Sequence, residues 1–441
     1  MSTPRDVFRF WVPLSITWMM MSVEGPILTA IVARLPFDKL NLAAYGVAVA
    51  LAMLIESPVI HLLSTSVALA RDAASMRALR AFTLRINALV TLGMIVTSIP
   101  WVYDRVTLDI IHLPVDVASL MYWGFVAMIP WPAAIGYRRF YQGLLIRNGR
   151  TRLVAYGTVV RLVGMLVSGI GLAWLGTLDG VVVGTMSLSV GVLCEAVATR
   201  YMAREVVHEI ERQEHQADAA TALTTAEIVR FWLPLAATSA IGFAVTPMLA
   251  FFMSRAPEAL ASLAVLPVVD SFVFFFRSFG FSYQEVGIAL IGDRQQNYAS
   301  VRRVGVLIGV VTTVALAGIA FTPLLDVVYT GLFGLRPELA SFATGPTMIL
   351  VVLPSIAVMY SVYRSLLITA RRNVKVTLST MLEVGGIALT MIVLVSATTL
   401  NGALAAALAM AVGRVASSVY LWASTRDVRS ARSALRFDAT S

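Results

Sequence analysis

The sequence predicts an all-α polytopic membrane protein, with 12 transmembrane helices arranged as two parallel six-helix repeats. Three observations carry that expectation: a composition poor in charge, twelve apolar stretches of spanning length, and a hexapeptide that returns half-way along the chain. The 441 residues are 58% hydrophobic and 13% charged, with a mean hydropathy of +0.81. A soluble domain carries roughly 25% charged residues, so lipid must replace water around most of this chain. The single cysteine, Cys194, excludes a disulfide framework and a thiolate metal cluster. His61, His112, His208 and His215 are far apart and lack the H-E-x-x-H spacing of a zinc enzyme.

Apolar runs of about 20 residues read as membrane-spanning helices. In order they cover 9–33, 41–69, 82–103, 119–146, 153–175 and 180–202, then 229–253, 259–291, 302–328, 340–369, 374–397 and 401–423. The longer ones contain proline: Pro58 in the second, Pro130 and Pro132 in the fourth, Pro267 in the eighth, Pro346 and Pro354 in the tenth. Proline kinks a helix where neighbours or water can satisfy the freed carbonyls. The first run is too long for a cleaved leader and recurs mid-chain, so it reads as a true span. The expected divisions are an N-terminal six-helix half (1–203), a polar cytoplasmic linker (204–227), a C-terminal half (228–425) and a short basic tail (426–441).

Basic residues give the orientation. Of the 34 Lys and Arg, 22 fall at the termini and in the even-numbered loops and five in the odd-numbered ones, leaving seven inside helices. The positive-inside rule then puts both termini and the even loops in the cytoplasm. The net charge of +9 is therefore mostly topogenic. Nucleic-acid binding would need a soluble basic face that is missing here.

RFWVPL at Arg9 to Leu14 returns as RFWLPL at Arg230 to Leu235, an offset of 221. The register holds through Pro26/Pro247, Arg34/Arg255 and Pro36/Pro257, and on to Gly180/Gly402 and Gly191/Gly413. Six spans per half is an even number, so both halves insert with the same orientation. Two like-oriented halves around a cleft are the architecture of an alternating-access carrier.

Glu24, Glu56, Arg138, Arg139, Arg161, Glu195, Asp270, Arg277, Arg364, Glu383 and Arg414 lie inside the expected spans. At roughly 2.5–3.5 kcal/mol for each lipid-facing charge, the set would cost about 30 kcal/mol, more than a domain's usual stability. These groups must face one another or a watered cavity. At the repeat offset Glu56 matches Arg277 and Arg161 matches Glu383. Glu56 and Arg277 could therefore pair across the pseudo-two-fold as a gate. Asp270 and Arg277, on one helical face at i, i+7, offer a permanent bridge instead; both readings stay open. Arg138, Arg161 and Arg364 lie deeper towards the cytoplasm, with Tyr141, Gln142 and Tyr363 among their neighbours. Guanidinium groups beside phenol and amide donors suit a carboxylate or phosphate ligand. Arg139 points about 100° away from Arg138. Glu24, matched by Val245, is a candidate H+ or Na+ coupling site or else an inert protonated acid. No Ser/His/Asp or paired-aspartate constellation suggests an enzyme, and no cofactor or metal is expected.

RFWVPLSIT at Arg9 to Thr17, LAAYGVAVAL at Leu42 to Leu51, GLLIRNGRT at Gly143 to Thr151 and FWLPLA at Phe231 to Ala236 resemble the progressive ankylosis protein (ANKH) family. Twelve spans in two parallel repeats resemble the wider superfamily around it, the multidrug and toxic compound extrusion (MATE) transporters and lipid-linked-saccharide flippases. The animal family's long polar tail has no counterpart after Arg436. The resemblance implies a MATE-like fold and export of small polyanions: citrate-like carboxylates, ATP or pyrophosphate. The competing expectations are a cation-coupled drug exporter using Glu24, Glu56 and Asp270, and a flippase for a lipid-linked head group. In each case the expected protein is a monomeric carrier in the inner membrane, with the bilayer and a small molecule as its partners and no nucleic acid.

Overall fold

The computed structural model of the chain describes residues 3–214, 223–291, 296–370 and 372–426. Among the described residues, twelve helices are long and apolar enough to cross a membrane. We label them α1 (Pro4–Ala33), α2 (Asp38–Leu69), α3 (Ala73–Ser98), α4 (Val115–Arg147), α5 (Thr151–Leu175), α6 (Gly180–Arg212), α7 (Thr225–Met253), α8 (Ala259–Leu290), α9 (Tyr298–Ala320), α10 (Pro337–Thr369), α11 (Val374–Ala397) and α12 (Gly402–Ser424). The protein is an all-α polytopic membrane protein. The basic tail beyond Arg426 and linker residues 215–222 lie outside the described residues.

Several spans are broken where the sequence places proline. In α2 the α-helix ends at Glu56 and passes through a 3-10 turn, Ser57–Val59, centred on Pro58. In α4 it stops at Ala127 and restarts at Trp131, and in α10 it stops at Leu350 and restarts at Leu353. The third and ninth spans differ most from the expected ranges, and in the same way. Both begin earlier, because their polar first turns are helical too, and both end before a proline, Pro100 or Pro323. After each proline comes a π-helical turn, Arg105–Ile110 or Val327–Leu332. Each turn leads to a left-handed residue, His112 at φ 62° or Gly334 at φ 74°. Phe37 and Glu258 are also left-handed, at φ 56° and 54°, one residue before α2 and α8 respectively. Non-glycine residues rarely adopt this region. Its recurrence 221 or 222 residues apart makes it a property of the repeated unit.

The chain divides into two compact units. Unit N is Ile31–Ser254 and holds α2–α7; unit C takes the chain up to Ala30 together with everything from Arg255 onward, hence most of α1 with α8–α12. Each unit thus combines five spans of one sequence half with the first span of the other. The repeated hexapeptide anchors that exchange. In unit C, Trp11 donates its indole N–H to Ser282 Oγ at 2.9 Å, with the Phe279 carbonyl at 3.4 Å. In unit N, Trp232 donates to the Pro58 carbonyl at 2.9 Å. Pro58 and Phe279 are themselves repeat equivalents. Trp11 lies in the buried cluster of unit C with Tyr283, Tyr360 and Tyr363, and Trp232 packs edge-on against Phe82 in unit N.

The last span of each half is also tied down in the same way. Asn41 Oδ1 accepts the backbone N–H of Val181 at 2.7 Å, capping α6; Ser262 Oγ accepts that of Ala403 at 3.0 Å, capping α12. Such caps satisfy donors that lipid cannot. The expected linker overlaps the end of α6, where an amphipathic helix, Arg204–Glu214, buries Val206, Val207 and Ile210. Arg150 holds its outer face through Glu205 and Glu209, both at 2.9 Å.

Candidate functional site: buried arginine clusters

In unit N, α5 and α6 approach closely because glycine faces glycine-sized space. A Cβ on Gly191 would come within 2.9 Å of the Arg161 carbonyl oxygen and of the Met165 Cβ. Without hydrophobic drive between helices in lipid, such small residues are what allow tight packing. Close approach brings Arg161 on α5 beside Glu195 on α6, while Arg138 and Gln142 come from α4. Arg138 Nη1 donates to Glu195 Oε2 at 2.7 Å, and Gln142 Nε2 donates to Oε1 at 3.0 Å. Arg161 Nε lies 3.4 Å from Oε2. All four are buried: Glu195 is 0% exposed, Gln142 2%, Arg138 4% and Arg161 5%. Glu56, at the break in α2, joins the same electrostatic cluster, with Arg138, Arg139 and Arg161 all acting on its charge. Its Oε2 and the Arg139 Nε are buried with no hydrogen-bond partner. Among the described residues, Arg138, Arg139 and Arg161 thus face Glu56 and Glu195.

Unit C repeats that balance with different geometry. Arg414 Nη2 on α12 meets Glu383 Oε1 on α11 at 2.8 Å. Arg277 Nη1 meets Asp270 Oδ1 at 3.3 Å, the i, i+7 contact within α8. Arg364 and Arg414 lie over the Tyr360 ring, 5.9 and 4.9 Å from its centroid, a favourable place for a desolvated cation. The Nε atoms of Arg277 and Arg364 are buried without a hydrogen-bond partner. Again Gly413 makes the helix contact: a Cβ there would lie 2.7 Å from the Glu383 carbonyl oxygen. Arg161 and Glu383 therefore hold matching places beside matching glycines, with opposite charge.

Of the residues expected at a ligand site, Arg138, Arg161 and Gln142 come together on Glu195 in unit N. Tyr141 is buried against Tyr137 and Phe140, with the Arg200 guanidinium 5.1 Å from its ring centroid. Arg364 and Tyr363 belong to unit C, where Tyr363 sits in the hydrophobic cluster. Glu24 is half-buried where the second segment of α1 begins. His61 faces Ser239 at 2.7 Å, a satisfied polar contact within unit N. Two partners had no role in the sequence reading: Glu195, the hub of one cluster, and Arg414, the counter-ion of Glu383. Their only signal in the sequence was being charged inside an apolar run. A separate cavity of about 380 Å³ in unit C, lined by Glu258, Glu338, Phe342 and Asn401 among others, includes none of these arginines.

An inward-facing multidrug resistance MATE family transporter of the MOP superfamily is similar over 96% of this chain and 98% of its own, with a TM-score of 0.75 and 15% identity. The fold is that of the MATE-type transporters. Two further similar structures are the lipid II flippase MurJ in an inward closed conformation and a MOP superfamily transporter from Pyrococcus furiosus. MurJ gives a TM-score of 0.69 at 11% identity over 94% of this chain and 87% of that one. The Pyrococcus furiosus transporter, described as having a binding pocket of reverse polarity, gives 0.65 at 15% identity over 98% and 97%. No protein-family model and no curated protein sequence matches the chain.

Proposed function

We propose that the protein is an alternating-access membrane transporter that exports small organic or phosphate-bearing anions. The observation that carries this is the surplus of guanidinium groups over carboxylates in unit N: Arg138, Arg139 and Arg161 against Glu56 and Glu195. A buried cation in excess is costly in a membrane, and a carboxylate or phosphate is the ligand that relieves it, through charge-assisted and bidentate bonds. Arg138, Arg161 and Gln142 are the contact residues in this reading, with Tyr141 orienting. Arg364 and Tyr363 serve unit C, and Glu56, Arg277, Asp270 and Glu383 are the candidates for exchangeable ion pairs, with Asp270 on Arg277 and Glu383 on Arg414 within unit C. The resemblance of RFWVPLSIT and GLLIRNGRT to the progressive ankylosis family is what suggests citrate-like carboxylates, ATP or pyrophosphate as substrates. The distribution of basic residues supports a cytoplasmic-membrane protein with both termini inside. The two sequence halves act as parallel repeats, and Glu24 is the candidate for H+ or Na+ coupling.

Likeness to MATE multidrug transporters, with the unpartnered Glu56 Oε2, favours a second reading, a cation-coupled drug exporter; likeness to MurJ favours a flippase. Purified protein in liposomes separates them. Labelled citrate or ATP flux that disappears in Arg138→Ala supports anion transport. Ethidium flux that disappears in Glu56→Gln, with no anion flux, would falsify it.

A further inference from the structure

We propose that Glu195 is a resident counter-anion: it occupies the arginines of unit N while the site is empty and yields them to the substrate's carboxylate or phosphate. This rests on the anion-transport reading and adds how the empty carrier completes its cycle. Glu195 already makes the contacts a carboxylate ligand would make. One oxygen takes the Arg138 Nη1 and faces Arg161 Nε, and the other accepts from Gln142. Ligand and Glu195 therefore compete for the same donors.

The surroundings allow the exchange. Thr199 lies one turn further along α6, on the same face as Glu195. Its hydroxyl is buried with no hydrogen-bond partner. Gly157 of α5 backs both residues: a Cβ there would lie 3.2 Å from Thr199 Oγ1 and 3.6 Å from Glu195 Oε1, so α5 sets no side chain between them. Arg139, whose Nε also lacks a hydrogen-bond partner, is close enough to act on Glu195 electrostatically. A displaced Glu195 thus has a donor and a cation to move towards.

The consequence is kinetic. Without Glu195 and without a ligand, the three buried arginines keep only Glu56 as a carboxylate in their cluster, and the added desolvation penalty slows reorientation of the empty carrier. With Glu195 in place it returns empty, and net flux is possible. Removing the charge converts a carrier capable of net transport into one that mainly exchanges anion for anion.

The test compares wild type, Glu195→Gln and Glu195→Asp in proteoliposomes loaded with labelled citrate. Efflux is measured into citrate-free buffer (net) and into buffer with unlabelled citrate (exchange). In Glu195→Gln, net efflux should fall at least about tenfold more than exchange does. Citrate binding should tighten by roughly ten- to a hundredfold, the equivalent of one charge-assisted bond no longer competing. In Glu195→Asp, whose shorter carboxylate reaches the arginines less well, the ratio of exchange to net efflux should be intermediate. If Glu195→Gln yields no folded protein, that intermediate ratio carries the test. Wild-type flux with an unchanged ratio in the variants overturns the role of Glu195 alone, as does equal loss of both fluxes. An absence of citrate, ATP and pyrophosphate flux in wild type overturns the transport reading itself.

Discussion

Glu195 and Arg138 are partners in one ion pair, yet removing them should cost different amounts. Glu195→Ala removes the carboxylate that two buried guanidinium groups share, at 2.7 and 3.4 Å, and that the amide of Gln142 donates to. Breaking a buried pair from one side typically costs about 3–5 kcal/mol, and Glu195 serves two cations and an amide at once. Arg138→Met leaves Glu195 still beside Arg161 and still accepting from Gln142. Its cost is that of one charge-assisted hydrogen bond, about 1.5–3 kcal/mol. Reversible unfolding from mixed micelles, followed by tryptophan fluorescence from the eight tryptophans, measures both. A midpoint lowered more by Glu195→Ala than by Arg138→Met is expected. Equal losses, or the reverse order, would show that Glu195 is not the shared hub.

The exchanged first spans should be held equally. Trp11→Phe and Trp232→Phe each remove one indole donor and should cost about 0.5–1.5 kcal/mol in the same assay. Gly191→Ala and Gly413→Ala should destabilise by about 1–3 kcal/mol through overpacking, since their new Cβ atoms meet backbone oxygens at 2.9 and 2.7 Å. Gly171→Ala, in α5 with nothing within 4 Å, should instead stabilise by up to about 1 kcal/mol through helix propensity. Arg150→Ala should cost no more than about 1 kcal/mol, because its bridges to Glu205 and Glu209 are solvent-exposed; added salt should shrink the difference further.

All twelve spans were legible in the sequence, because length and hydropathy are local properties. The polar first turns of α3 were not: Arg77 and Arg80 make them polar without making them less helical. The duplication was also plain, but not that α1 and α7 exchange units. A repeat shows which residues are equivalent and not which bundle each helix joins. Trp11 and Trp232 were read as markers of the repeat when they are also its fasteners. At the site, Arg138 and Gln142 were visible together through their i, i+4 spacing on one helix. Glu195 was not, since its place among them depends on the α5–α6 contact set by Gly191 and Gly157, a relation between helices with no signature along either one. Asp270 and Arg277 were found as a pair for the same reason as Arg138 and Gln142: both residues lie on a single helix.

In the proposed function the buried arginines carry an anion across the membrane. Charge movement in proteoliposomes adsorbed on a solid-supported membrane tests it directly, on concentration jumps of citrate, ATP and pyrophosphate. A saturable current for at least one of these anions is expected in wild type, and it should vanish when Arg138 and Arg161 are both replaced by alanine. No current with any of the three, or a current indifferent to both arginines, contradicts the claim.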